Sequence, residues 1–177
     1  MFVVGESFRY GLLRSLQATD IQGMLEWMAD PAIAGVFQAD FQSMNENSAL
    51  EFIRSSWDDE SSLHFAIAGK NDTYMGTISL QRVDYVNSAA EYAVSTRACA
   101  HGTGIAMNAS YDLLRFAFRE LGFHRVYLNV RASNKRAIRF YEKVGFIQEG
   151  IARQSFKCKN DGYEDLLWFS MLETEFK

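Results

Sequence analysis

The stretch His101-Gly102-Thr103-Gly104-Ile105-Ala106, "HGTGIA", sets two glycines between an extended run and a long amphipathic pattern, and its flanks decide the fold. Upstream, "AAEYAVS" (89–95) reads as a strand. Downstream, Ala106, Ser110, Leu113, Leu114, Ala117, Phe118 and Leu121 recur at helical spacing, with Asn108, Asp112, Arg115 and Arg119 opposite, until Gly122 stops the pattern. "HRVYLNV" (124–130) then reads as a buried strand. A strand, a crossover helix and a further strand make a right-handed parallel unit, so residues 89–130 are predicted to form a βαβ unit.

Working outward, "LHFAIA" (63–68) and "YMGTISLQRV" (74–83) are strands separated by "KND", and "DYVNS" leads into "AAEYAVS", which together predict a three-stranded meander. "SNKRAIRFYEKV" (133–144) is a helix capped by Ser133 or Asn134 and stopped by Gly145. "FIQEGIARQSFK" and "YEDLLWFSML" are two strands joined through "CKNDG". Nearer the N-terminus, Thr19 and Gln22 read as a capping box ahead of Ile21, Met24, Leu25 and Met28, so a short helix begins near residue 20. A second helix covers about 46 to 57, with Leu50, Ile53 and Trp57 on one face. The class is α+β: one domain over 1–177, with a mixed, mostly antiparallel sheet of about six to seven strands flanked by about four helices.

A chain of 177 residues buries a core without staples. Apolar residues make up 48% and charged ones 23%, the balance of a packed, water-soluble chain. A net charge of -4 argues against a nucleic-acid surface, which needs a basic excess. Cys99 and Cys158 have no CxxC or Cys/His spacing, so neither a disulfide framework nor a metal site is expected. "MFVVGESFRY" lacks the features of a signal peptide and no apolar run approaches membrane-spanning length, which predicts a cytoplasmic protein with no membrane partner.

At a helix start, unpaired N–H groups and the positive end of the dipole face outward, and glycines let an anion approach them closely. Phosphate is the natural guest of "HGTGIA"; a plain tight turn is the competing reading. The dinucleotide fingerprint needs a third glycine where Met107 stands, and the mononucleotide loop needs a Gly-Lys-Ser/Thr ending where Gly104 is followed by Ile105 and Ala106.

"HGTGIA" resembles the Arg/Gln-x-x-Gly-x-Gly/Ala loop of the Gcn5-related N-acetyltransferase (GNAT) family, and "NKRAIRFYEKVGF" (134–146) is similar to that family's downstream Asn…Ala…Tyr…Gly-Phe signature. The likeness is greatest to the branch of ribosomal-protein N-terminal, polyamine and amino-sugar-nucleotide acetyltransferases, and it covers nearly the whole chain. His101 departs from the family's Arg or Gln. The resemblance implies that the backbone from His101 through Gly102, Thr103, Gly104, Ile105 and Ala106 holds the pyrophosphate of coenzyme A, with acetyl-CoA as donor and no metal.

It also implies site roles, each beside a plainer reading. Glu91 is the candidate base that takes a proton from the ammonium, or else a residue paired across the sheet. Tyr141 lies on an apolar stripe with Ile138 and Val144, where spacing alone makes it a core aromatic; the resemblance makes it the acid for the departing thiolate. A backbone N–H at Val94 or Ser95 would meet the oxyanion of the tetrahedral intermediate. Asn134 is a cofactor contact, a helix cap, or both. Arg136 belongs to an exposed basic face with Lys135, Arg139 and Lys143, of which one or two meet the 3'-phosphate. Cys99 is read as passive, while His64, His124, Trp27, Trp57 and Trp168 are read as core or surface. Phe37 and Phe41 are assigned by position alone to a movable segment over the acceptor site.

The resulting expectation is direct acetyl transfer to a primary amine of a small molecule, of the amino-sugar-nucleotide or polyamine class. A peptide N-terminus is the alternative acceptor. A non-catalytic coenzyme A module and a generic nucleotide binder are the competing classes, and open strand edges permit a homodimer.

Overall fold

The structure is a computed structural model and describes residues 1–35, 41–158 and 162–177. Its strands are β1 (Arg9–Tyr10), β2 (Leu13–Arg14), β3 (Leu63–Ala68), β4 (Tyr74–Asp84), β5 (Ala89–Thr96), β6 (Arg125–Arg131), β7 (Ile147–Lys157) and β8 (Tyr163–Leu172). They form one sheet in the order β1-β2-β3-β4-β5-β6-β8-β7, antiparallel except where β5 meets β6. The helices are α1 (Ile21–Ala29), α2 (Pro31–Ala34), α3 (Glu46–Ser56), α4 (Ile105–Arg115) and α5 (Lys135–Val144).

Alternation along the strands supplies both faces of the sheet. Phe65 and Ile67 of β3 join the core beneath α4, which also takes Val126, Leu128 and Val130 of β6. Ala66, between them, joins a second core with Met24, Trp27 and Met28 of α1 and Ile53 of α3. The sheet is thus covered by α4 and α5 on one face and by α1 and α3 on the other.

The predicted meander and βαβ unit are both present. Eight strands stand against the six to seven expected, the difference coming from β1 and β2, two-residue pieces of the N-terminal extended segment, and the fifth helix is the four-residue α2. Asn134 rather than Ser133 caps α5, its Oδ1 accepting the Ala137 N–H at 3.1 Å. The Thr19–Gln22 capping box does not form. The Gln17 N–H donates to Asp20 Oδ2 at 2.9 Å instead, because Asp20 is buried and drawn to Arg14 by two bonds of 2.7 and 2.8 Å. Asp112 is only half exposed, since Oδ2 accepts the Leu12 N–H at 2.9 Å. Past Arg115 the helix widens over Phe116–Glu120 to a five-residue bonding step, with Leu121 N–H donating to the Phe116 carbonyl at 3.0 Å, before Gly122 turns the chain at φ +67°.

The parallel pairing at the centre is brief. Ala89, Ala90 and Glu91 sit opposite Arg125, Val126 and Tyr127; beyond them β5 continues along β4 to Thr96, and β6 continues along β8 to Arg131. A wedge-shaped gap opens between β5 and β6 from Glu91 onward.

Candidate active site

The glycine loop lies at the N-terminus of α4. Gly102 and Gly104 have φ of +77° and +82°, a region that favours glycine, and a Cβ on either would meet nothing within 4 Å. Thr103 braces the loop: its Oγ1 donates to the Ala100 carbonyl at 2.8 Å and accepts the Ile105 N–H at 3.3 Å. Among the described residues, the N–H groups of Gly102, Gly104, Ala106 and Met107 are left without a protein partner. Free donors, the positive end of an eleven-residue helix and open space in front fit a pyrophosphate.

Arg136, in the first turn of α5, approaches the same loop. Burial and then the Arg136 guanidinium hold His101 below the usual imidazole range, so its ring is neutral at pH 7. The loop's positive field therefore comes from backbone and Arg136 rather than from His101. Lys135, Arg139 and Lys143 are exposed, as expected of a solvated basic face, and Cys99 is exposed on the turn before the loop.

On the α4–α5 face, Tyr92 of β5 organises the wall of the gap. Its hydroxyl bonds Ser110 Oγ of α4 at 2.6 Å, and its ring packs on Tyr141 at 5.9 Å and on Phe146 at 5.4 Å between centroids. Tyr141 is half-buried, and among the described residues its hydroxyl has no hydrogen-bond partner. Burial pushes that hydroxyl up to about 12, so it carries its proton at neutral pH.

Glu91 precedes Tyr92 in the strand and so points to the opposite face. Its side chain is 13% exposed and held at both oxygens. Asn129 Nδ2 of β6 donates to Oε1 at 2.8 Å, and Arg82 Nη1 of β4 donates to Oε2 at 2.7 Å. The carboxylate therefore spans the apex of the gap from β5 to β6. Tyr127 and Trp168, half-buried with centroids 6.0 Å apart, extend this face along β6 and β8. Between the two faces runs the exposed backbone of β5. Arg97 N–H donates to the Met75 carbonyl at 2.9 Å, and antiparallel bonding alternates, so the Ser95 N–H faces β4 while that of Val94 faces the gap.

The structure thus places Glu91, Val94 and Tyr141 around one gap and His101 to Ala106, with Arg136, at the loop. Asn134 is seen as a cap. Arg82, Asn129, Tyr127 and Trp168 were not picked out as site residues from the sequence. Asn129 lay in plain view in "YLNV", two positions beyond the last paired residue of β6, but only the pairing register reveals that it faces Glu91. Phe41 packs against Trp27 at 5.2 Å; Phe37 lies outside the described residues. His64 bonds Ser79 Oγ at 2.8 Å, and Trp27 and Trp57 bond the Tyr74 hydroxyl and the Leu16 carbonyl, all as packing residues. A cleft of about 750 Å³ under α1 is lined by Arg14, Asp20, Glu26, Asp72 and Arg97, but these charges neutralise one another in ion pairs. A second cleft of about 450 Å³ borders the loop at Thr103, Ile105 and Asn108. Among the described residues, no group of three or more His, Cys, Asp or Glu is arranged to hold a metal ion, and no helix is long and apolar enough to cross a membrane.

Comparison with known proteins agrees with this geometry. Residues 12–147 match the family model described as an acetyltransferase (GNAT) domain. The chain is 24% identical over 140 residues to the spermidine N(1)-acetyltransferase of Vibrio cholerae, covering 79% of each protein. It is 33% identical over 102 residues, 58% of this chain and 55% of the relative, to YdaF of Bacillus subtilis, whose name provisionally gives it as a ribosomal N-acetyltransferase. The fold superposes on the crystal structure of the Vibrio cholerae spermidine N-acetyltransferase in complex with CoA and spermine, with a TM-score of 0.82 at 22% identity, covering 93% of this chain and 96% of the other. With a glycine loop at the head of α4, a central gap between parallel strands and a family match over most of its length, the chain belongs to the GNAT family of acetyl-CoA-dependent N-acetyltransferases.

Proposed function

We propose that the acceptor is the primary amine of a small polyamine-class molecule and that Glu91 and Tyr141 carry out the proton transfers. The observation that carries this reading is the parting of β5 and β6 directly after Glu91, with Glu91 on one face of the gap and, on the other, the Tyr141 hydroxyl, which has no hydrogen-bond partner among the described residues. The spermidine acetyltransferase relatives favour the polyamine class.

A primary alkylammonium must lose a proton before its nitrogen can attack. Glu91, fixed by Asn129, binds the ammonium and takes that proton on the face lined by Tyr127 and Trp168. The Val94 N–H, aimed into the gap, donates to the acetyl carbonyl oxygen as charge builds there. Tyr141, protonated at neutral pH and more firmly so through burial, gives its proton to the departing sulfur from the opposite face and recovers one as the amide nitrogen sheds its second proton. The backbone of His101 to Ala106, with Arg136 and Asn134, binds the phosphates and orients the donor.

The test is release of free coenzyme A thiol from acetyl-CoA over polyamines, amino-sugar nucleotides and short peptides, with Tyr141→Phe run alongside. Spermidine should support turnover, and Tyr141→Phe should lose about 100-fold or more in kcat while still binding acetyl-CoA. Turnover with peptides alone would transfer the reading to a protein N-terminus. Full activity in Tyr141→Phe would remove Tyr141 from the chemistry.

A further inference from the structure

The two partners of Glu91 differ in kind. Asn129 is half-buried on β6, whereas the Arg82 side chain is 72% exposed. Arg82 also has φ +48°, the left-handed region that a long side chain rarely adopts, within the bulge where the β4–β5 register slips between Gln81 and Asp84. In an unbroken ladder the residue after Gln81 would turn away from the Glu91 face, because Gln81 and Glu91 are directly opposite. The bulge and the left-handed backbone instead bring the guanidinium onto that face, 2.7 Å from Oε2. A strained residue aimed at a candidate base is an arrangement that calls for a purpose.

We infer that Arg82 is an acceptor gate: its guanidinium occupies the seat on Glu91 that the substrate ammonium takes, and the incoming amine displaces it. This rests on Glu91 being the base. Both groups are cations that donate N–H to the same oxygen, so they compete, while Asn129 keeps the carboxylate in place during the exchange. An exposed guanidinium returns to water at small cost, because ion pairs with one freely solvated partner are weak. The gate also makes an entry requirement. A neutral group gains nothing by displacing a cation from a carboxylate, so the seat selects ammonium over neutral ligands. Arg82 is thus a specificity-determining residue that takes no part in bond making.

Arg82→Gly tests this without strain, since glycine adopts φ +48° freely. Steady-state constants with spermidine and acetyl-CoA would be measured for wild type, Arg82→Gly, Arg82→Lys, Glu91→Gln and the Arg82→Gly/Glu91→Gln double variant. We expect Arg82→Gly to lower the KM for spermidine about two- to fivefold with the KM for acetyl-CoA unmoved, and Arg82→Lys to restore the wild-type value. A spermidine KM that stays or rises in Arg82→Gly overturns the gate, as does a fall in kcat alone, which would make Arg82 an orienting group. Turnover preserved in Glu91→Gln overturns the base reading. Loss of turnover there, with an unmoved KM in Arg82→Gly, overturns the gate alone. Because the Glu91→Gln background lacks turnover, the double variant is compared with Glu91→Gln by the spermidine Kd from calorimetry; an Arg82→Gly effect on that Kd that persists without the carboxylate places the competition elsewhere and also overturns the gate.

Discussion

His64 sits on β3 with Nδ1 against Ser79 Oγ and its ring edge-on to Phe52, centroids 4.9 Å apart. Burial lowers its pKa to about 4, with Asp59 pulling weakly the other way. The unfolded chain binds this proton near pH 6.5 and the folded chain only near 4, so folding is opposed wherever the unfolded state alone is protonated. Stability is unaffected by His64 above pH 6.5, falls as pH drops through that value, and by pH 4 has lost on the order of 3 kcal/mol at most. Denaturant melts of wild type and His64→Gln from pH 7.5 to 4 should show a shallower loss in the variant; equal slopes would assign the acid sensitivity to other groups. The same residue shows what sequence can and cannot carry. "LHFAIA" announced a strand, and in the structure His64 is indeed a packing residue, but its depressed pKa comes from burial, which neighbours on other elements such as Phe52 of α3 complete.

At the scale of elements, α5 presents its N-terminus to the glycine loop through Arg136, and the Asn134 cap governs how that turn is set. Asn134→Ala should cost about 1 kcal/mol of stability through the lost cap. Asn134→Ser keeps a capping oxygen and removes the amide, so it separates the two roles assigned to this residue. We expect the serine variant to recover the melting temperature while the KM for acetyl-CoA stays raised about two- to tenfold, the value of one neutral hydrogen bond. Recovery of both would leave Asn134 a cap only. The elements around this turn were the legible part of the chain: periodicity marked α4 and α5, and glycines at 102, 104, 122 and 145 marked their ends. Illegible were features that depend on register. The β4 bulge that turns Arg82 toward Glu91 has no glycine or proline to announce it, and the Gln17–Asp20 bond replaced the expected Thr19–Gln22 box because a buried arginine from β2 claims Asp20.

For the whole molecule, the sheet is two halves, β1 to β5 and β6-β8-β7, joined at the centre by three residue pairs. The crossover of α4, the Tyr92, Tyr141 and Phe146 cluster and the Asn129–Glu91 hydrogen bond add to the junction. Neither half pairs fully along the gap, and the backbone of 92–96 and 128–131 is left facing it. A ligand seated there touches both halves and binds only the folded chain, so mass action transfers its affinity to the fold as a whole. At 100 times its Kd, coenzyme A should add about 2.7 kcal/mol. For a chain of 177 residues this is a rise in Tm of about 5–10 °C. Hydrogen exchange should locate the effect, with protection growing at 92–96, at 128–131 and in the loop from 101 to 107, and little change under α1. A Tm that rises with protection confined to the α1 cleft would move the donor site there, and an unmoved Tm at saturating coenzyme A would deny that the gap is a binding site.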